Sequence, residues 1–328
     1  MHPQMALELN QCVELTHIPE KITAIIPTGP ASINCLLWSV FSLLLQSKVT
    51  GPLEHICVCI NGPDERTGNP ELQDKKQRFL EALRDMDWYH ANEPSIRRQM
   101  PITVIRAWSR VGYAEPFEMA IPWVHTANYL LMHDDVIITR NDWAENVSST
   151  LASSDKVALA YCGEFVGRKC KHAIHRGMYL LCLPQLETTF IACKKKWLIE
   201  GPSWQAYHIP SDSNFLQFEL SEAGDVKDIQ KYWHDLNMLD EPLQENELYN
   251  FVRQDIGSWV YFHLADKGCE FKEIPKDTIV HIEGMSGHGE TGKKIRILGC
   301  MDYIEEIEEL ISSHPEYSKL YEEFKDAS

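Results

Sequence analysis

Between Tyr129 and Thr139 the chain reads YLLMHDDVIIT, two apolar runs with His133, Asp134 and Asp135 set between them. The first run, Tyr129 to Met132, is continuous, as in strands covered on both faces of a parallel sheet, and Val136 to Ile138 resume the burial. Two neighbouring carboxylates are costly to bury without a counter-charge, and the simplest is a divalent cation with hard oxygen ligands. A strand that ends this way marks a site. The plainer reading is that Asp134 and Asp135 open a turn or cap a helix, as Asp often does through local hydrogen bonds.

Strand and helix signals alternate ahead of this segment. Ile22 to Ile26 is β-rich and stops at PTGP, and an apolar helix is expected from about Ser32 to Ser47. His55 to Ile60 ends in NGPDERTG. A helix is expected from Glu71 to Met86, with Phe79, Leu80, Leu83 and Met86 apolar, and Ile102 to Ala107 leads through WSRVGYAEP into a helix at about 116–127. This βαβα order implies an α/β fold, a parallel sheet with helices on its faces, whose ligands sit beyond the carboxyl ends of the strands. Thr28, Asn61, Asp64, Arg110 and Asp135 all lie just past such ends and are expected to line one crevice.

Further strands are expected at 156–161, 179–183, 189–193, 269–274 and 278–282. Between them come an irregular basic patch at 167–177, a helix near 194–200, an aromatic loop at 201–215, a helix from Glu245 to Ala265 and a glycine-rich loop at 284–294. Two charged helices near 302–311 and 315–325 close the chain. The expected division is an arm over 1–20, one α/β domain over 21–299 and a helical extension over 300–328.

Composition narrows the function classes. A chain of 328 residues with 44% hydrophobic content can bury a full core. Its longest apolar run, INCLLWSVFSLLLQ at 33–46, is broken by Asn34, Trp38 and serines and falls short of a membrane span, and the N-terminus lacks a signal-peptide layout. A formal charge of −17 argues against a nucleic-acid backbone binder. The ten cysteines lie mostly in apolar segments, which points to reduced thiols of a cytoplasmic protein. The NVS triplet at Asn146 is then an unused sequon.

Taken together, strand-PT turn-helix, strand-NG turn, a strand ending in HDDV, Gln254-Asp255, KGCEFKEIP, TIVHIEG and MS resemble the GT-A fold of inverting, family-2-like nucleotide-sugar glycosyltransferases, over about 22–290. The resemblance implies a GT-A-like, Rossmann-like, mostly parallel mixed sheet, a nucleoside-diphosphate sugar as donor, a hydroxyl acceptor (glycan, lipid, protein or small molecule) and a divalent metal, Mn2+ or Mg2+. It also implies roles. Asp135 and His281 would hold the metal, and Asp255 would be the catalytic base. Asp134 and His133, in the acidic motif, would bind the donor, His133 standing where an Asp is more common and where the family contacts the ribose. Thr28, Asn61, Asp64 and Arg110 would cradle the nucleotide, and Lys293, in the glycine-rich loop, would close over the diphosphate.

Plainer readings stand beside these. His281 sits in an apolar strand, where a lone histidine is often a satisfied core residue, and Asp255 also reads, less readily, as a helix-surface or capping residue. Asp212, after the aromatic loop, is the rival base, and Trp204 and Tyr207 there stack on a sugar or pack in a core. Cys162, Cys170, His172 and His175 match no compact zinc spacing. Two other functions remain open: a sugar-1-phosphate nucleotidyltransferase, whose basic glycine-rich signature is missing from IIPTGPAS, and a non-catalytic carbohydrate- or nucleotide-binding module.

Overall fold

The computed structural model describes residues 18–29, 33–62, 70–89, 95–107, 115–162, 171–175, 178–182, 189–197, 204, 216–219, 251–254, 257, 260, 263–265, 267–282 and 300–326. In chain order the strands are β1 Ile18–Thr28, β2 Leu53–Ile60, β3 Asp87–Trp88, β4 Arg98–Gln99, β5 Ile102–Arg106, β6 Thr126–Met132, β7 Val136–Ile138 and β8 Val157–Tyr161. They continue with β9 Lys171–His175, β10 Met178–Cys182, β11 Phe190–Lys194, β12 Leu216–Glu219, β13 Phe251–Gln254, β14 Glu270–Glu273 and β15 Ile279–His281. The helices are α1 Ile33–Leu45, α2 Pro70–Arg84, α3 Glu115–Ala120, α4 Trp143–Ala152, α5 Met301–Ser312 and α6 Pro315–Phe324.

The main sheet has seven strands in the order β14-β8-β11-β6-β1-β2-β5, so β6, which ends in the acidic turn, is central. All pairings in it are parallel except those of β11, which runs antiparallel to β6 and β8. Strands covered on both faces should split their side chains between two cores by the period of two, and they do. Leu130 and Met132 of β6, with Ile22, Ala24 and Ile26 of β1, enter one apolar cluster, while Tyr129, Leu131 and Ile25 enter the other. Helices α1, α2, α4, α5 and α6 cover the first face; α3, Trp204, Val260 and Leu264 pack on the second.

Helix α1 is apolar almost all round, and every residue in it but Asn34 is buried, as expected of a helix enclosed on all sides. The sheet takes one side of it, and α5 and α6 take the other. Phe41 meets Tyr317 at 5.9 Å and Tyr321 at 6.3 Å between ring centroids, Phe79 of α2 meets Phe324 at 5.8 Å, and Trp38 Nε1 donates to Tyr321 Oη at 3.1 Å. Each such ring contributes about 1.5–3 kcal/mol on burial, so α5 and α6 are packed into the same core as the sheet.

The architecture is therefore the α/β, mostly parallel mixed sheet expected from the sequence, but four local expectations are corrected. The helix expected at 116–127 is α3 followed by a single 3-10 turn, Ile121–Trp123, because Pro122 ends it and the β-branched Thr126 already belongs to β6. Of the helix expected near 194–200, the described residues are Lys194, which ends β11, and a 3-10 turn at Lys195–Trp197. The basic patch at 167–177 contains β9, which forms a hairpin with β10.

The fourth concerns the range 245–265, where Phe251–Gln254 is a strand between β10 and β12 rather than part of a helix. A short apolar run bordered by two strands satisfies its backbone by pairing, which spacing alone does not distinguish from helix. Gly257, at φ 81°, stands outside the helical region, and among the described residues of this range only Val260 and His263–Ala265 are helical.

Candidate functional site

The turn His133-Asp134-Asp135 joins β6 to β7, and its backbone is held by two serines that punctuate the otherwise apolar α1. Ser39 Oγ lies 3.1 Å from the His133 carbonyl and 2.5 Å from that of Val136, and the Ile138 amide donates to Ser42 Oγ at 3.0 Å. The His133 amide donates to the Thr189 carbonyl at 3.1 Å. Buried peptide groups left open by a tight turn need such partners.

Strand β7 pairs antiparallel with β15 in a two-stranded ribbon that sets His281 opposite Val136, and the Ile282 amide donates to the Asp135 carbonyl at 2.9 Å. This ribbon joins the acidic turn to a strand late in the chain. His281 Nε2 lies 3.3 Å from Asp135 Oδ1, and His133 Nδ1 lies 4.0 Å from the same oxygen. The three donor atoms all fall within 4.8 Å of one another. The Asp135 side chain is 6% exposed, against 29% for His133 and 28% for His281, so the carboxylate forms the floor and the imidazoles the open rim.

Asp134 has a different set of partners. Thr28 Oγ1, at the end of β1, donates to Asp134 Oδ2 at 2.6 Å, and Lys76 Nζ donates to Thr28 Oγ1 and to the Gly29 carbonyl, each at 2.8 Å. Lys76 is fully buried on α2. Burial pushes the Asp134 carboxyl up and the Lys76 ammonium down from their ordinary ranges, and each is opposed by the charge of the other. The counter-charge that two adjacent buried acids require is thus met for Asp134 by a lysine of the chain.

Thr28 and Asn61 sit together at the ends of neighbouring parallel strands. The Asn61 amide donates to the Thr28 carbonyl at 2.9 Å, and Gln73 Nε2 of α2 donates to the Asn61 carbonyl. The one hydroxyl proton of Thr28 goes to Asp134, which leaves its oxygen as an acceptor only. Asp64, Arg110, Asp212, Asp255 and Lys293 lie outside the described residues, as do Tyr207 and Cys170.

Trp204 is a core residue: it is buried against Phe117, and its Nε1 donates to Tyr129 Oη at 3.1 Å. Cys162 Sγ donates to the Pro275 carbonyl at 3.3 Å, and His172 and His175 belong to β9.

The sequence gives Lys76 no role and shows the α1 serines only as breaks in an apolar run. The signal for Lys76 was present, since Lys76, Phe79, Leu80 and Leu83 fall at i, i+3, i+4 and i+7, which puts a charge on an apolar helix face.

Two imidazole nitrogens and a carboxylate oxygen that converge, with one side open, suit a divalent ion that also takes ligand oxygens. The mostly parallel sheet carries this cluster at the carboxyl end of its central strand. No protein-family model and no curated protein matches the sequence.

Among solved structures, the chain is similar to the mannosyltransferase PcManGT of Pyrobaculum calidifontis, in complex with GDP-Man and Mn2+, at 11% identity and a TM-score of 0.45 over 97% of this chain and 79% of that one. It is also similar to TarS 1-349 of S. aureus, at 11% identity and a TM-score of 0.34 over 56% of this chain and 50% of that one. These are distant likenesses of shape, and the reading of the site rests on its own geometry.

Proposed function

We propose that this protein is a metal-dependent glycosyltransferase that moves a sugar from a nucleoside-diphosphate sugar to an acceptor hydroxyl, with inversion at the anomeric carbon. The observation that carries the reading is the meeting of Asp135 and His281 at the carboxyl end of the central strand, where open α/β sheets bind their ligands. These two residues would hold a divalent ion, Mn2+ or Mg2+. When bound, the ion supplies Lewis-acid neutralisation of the charge on the departing diphosphate.

The remaining roles follow from the chemistry. Asp255 is assigned as the base: it takes the proton of the acceptor hydroxyl as that oxygen attacks the anomeric carbon and the bond to the diphosphate breaks. Asp212 is the second candidate for this work. Thr28 and Asn61, side by side at two strand ends, are assigned to the nucleotide together with Asp64 and Arg110, and Lys293 to the diphosphate. The hydroxyl acceptor belongs to a glycan, lipid, protein or small molecule. No helix among the described residues is long and apolar enough to cross a membrane, and the buried cysteines support assignment to the cytoplasm.

A thermal-shift screen of nucleoside diphosphates and their sugars, with and without Mn2+, tests the reading, followed by assay of nucleoside diphosphate release. A ligand selective for the native state raises its melting temperature. A donor that stabilises the protein only with metal is expected, and Asp135→Asn should lower kcat/KM for its turnover by at least about 100-fold while leaving the fold intact. Pyrophosphate release from a nucleoside triphosphate and a sugar phosphate would instead make the protein a nucleotidyltransferase.

A further inference from the structure

The function proposed above holds the ion with one carboxylate and one late imidazole, and it gives His133 no part in that. Yet His133 Nδ1 approaches the same Asp135 oxygen that His281 Nε2 approaches, at 4.0 Å and 3.3 Å. The two rings do not stack: their centroids are 5.9 Å apart and their planes lie at 71°, so their in-plane lone pairs can reach one point from two directions. An ion with bonds of about 2.1 Å and angles between tetrahedral and octahedral brings its donor atoms to roughly 3.0–3.4 Å of one another. The His281–Asp135 pair already meets that spacing, and His133, 4.0 Å from the same oxygen with all three donor atoms within 4.8 Å of one another, reaches it by a side-chain shift, its backbone staying fixed by Thr189 and Ser39.

We propose that His133 is a third protein ligand of the ion held by Asp135 and His281, and that the resulting set of two imidazoles and one carboxylate makes the site selective for Mn2+, Co2+ or Zn2+ over Mg2+ and Ca2+. The inference rests on the metal site of the proposed function and deepens it by naming the class of ion. Mg2+ and Ca2+ are hard ions that take oxygen ligands, whereas imidazole nitrogen suits the later first-row divalent ions. Asp134 does not restore the oxygen character of the site, because its Oδ2 accepts from Thr28 and the carboxylate faces the charge of Lys76. The open rim leaves coordination positions for donor oxygens.

Binding of the metals alone to the full chain, with no donor present, tests this. Calorimetry with Mn2+, Mg2+ and Co2+ is paired with the electron paramagnetic resonance of free Mn2+ and with the visible absorption of bound Co2+. The wild-type protein should bind Mn2+ at least about 100-fold more tightly than Mg2+. His133→Ala should weaken Mn2+ binding by at least about 10-fold and change the Co2+ spectrum, and His133→Asp should cut the preference for Mn2+ over Mg2+ by about 10-fold or more. Thermal unfolding in a chelator, equal for the three proteins, separates loss of a ligand from loss of fold; if His133→Ala does not fold, the preference of the wild type and of His133→Asp decides.

Two results overturn the inference: Mn2+ affinity in His133→Ala within about twofold of wild type, or Mg2+ bound by the wild type as tightly as Mn2+. If Asp135→Asn abolishes Mn2+ binding while His133→Ala does not, the metal site stands and the selectivity falls. If no ion binds and donor turnover ignores metal, both readings fall.

Discussion

Lys76 is a wholly enclosed ammonium whose hydrogen bonds reach Thr28 and Gly29 and whose charge is opposed by the buried carboxylate of Asp134. Removing one member of a buried pair leaves the other charge desolvated and uncompensated, which costs about 3–5 kcal/mol. Lys76→Met should therefore destabilise the protein by that amount in urea unfolding, and Lys76→Met combined with Asp134→Asn should recover most of it. A loss below about 1 kcal/mol in the single variant would mean that the lysine does not compensate the carboxylate. At this scale the sequence was legible where a residue type was out of keeping with its run, as the acids after Met132 were. Lys76 broke its pattern just as plainly, but a lysine on an apolar face also reads as a stem that carries its charge out to solvent. Only the packing of α2 against the end of β1 shows that it does not.

The two ends of the strands differ in chemistry. The carboxyl ends carry the acidic turn, while near the amino ends His55 of β2 meets Thr103 of β5 at 2.9 Å and stacks on His125, just before β6, at 6.0 Å between centroids. Burial, with the neighbouring His125, lowers the His55 pKa from 6.5 to about 4. The unfolded chain therefore binds this proton more readily than the folded one, so the stability that His55 contributes is complete above pH 6.5 and is lost as pH falls toward 4. Linkage gives a loss of about 2 kcal/mol between pH 7.5 and pH 5. Urea midpoints at the two pH values should show it, and His55→Leu should flatten the dependence; an unchanged slope in that variant would assign the effect elsewhere. Among the elements, β1, β2, β5 and β6 were legible because each is a compact apolar run with a turn signal after it. Strand β13 was not, because its residues fit a helical stripe equally well and only β10 and β12 on either side decide the outcome. The β7–β15 ribbon belongs with β13 in this respect. The sequence offered two short apolar runs, and their register, which brings His281 to Asp135, is a long-range pairing that no local pattern encodes.

For the whole molecule, the last two helices are part of the core rather than an appendage. Ile304, Ile307 and Ile311 of α5, and Tyr317, Leu320, Tyr321 and Phe324 of α6, share one cluster with Trp38, Phe41 and Phe79. Lys75 Nζ pairs with Asp326 at 2.8 Å, and the Asp326 amide donates to Asn34 Oδ1 at 2.8 Å, tying this segment to α2 and α1. A chain ending at residue 299 should therefore lose its cooperative urea transition and aggregate on size-exclusion chromatography. A soluble monomer with the parent midpoint would contradict the packing described. The same feature bears on how the protein is made. Translation supplies α1 well before α5 and α6, and at ~5–20 residues per second the interval is on the order of tens of seconds. Through that time the side of α1 that α5 and α6 cover has only the sheet and α2 beside it, so a nascent chain still short of those helices is expected to present an apolar face there.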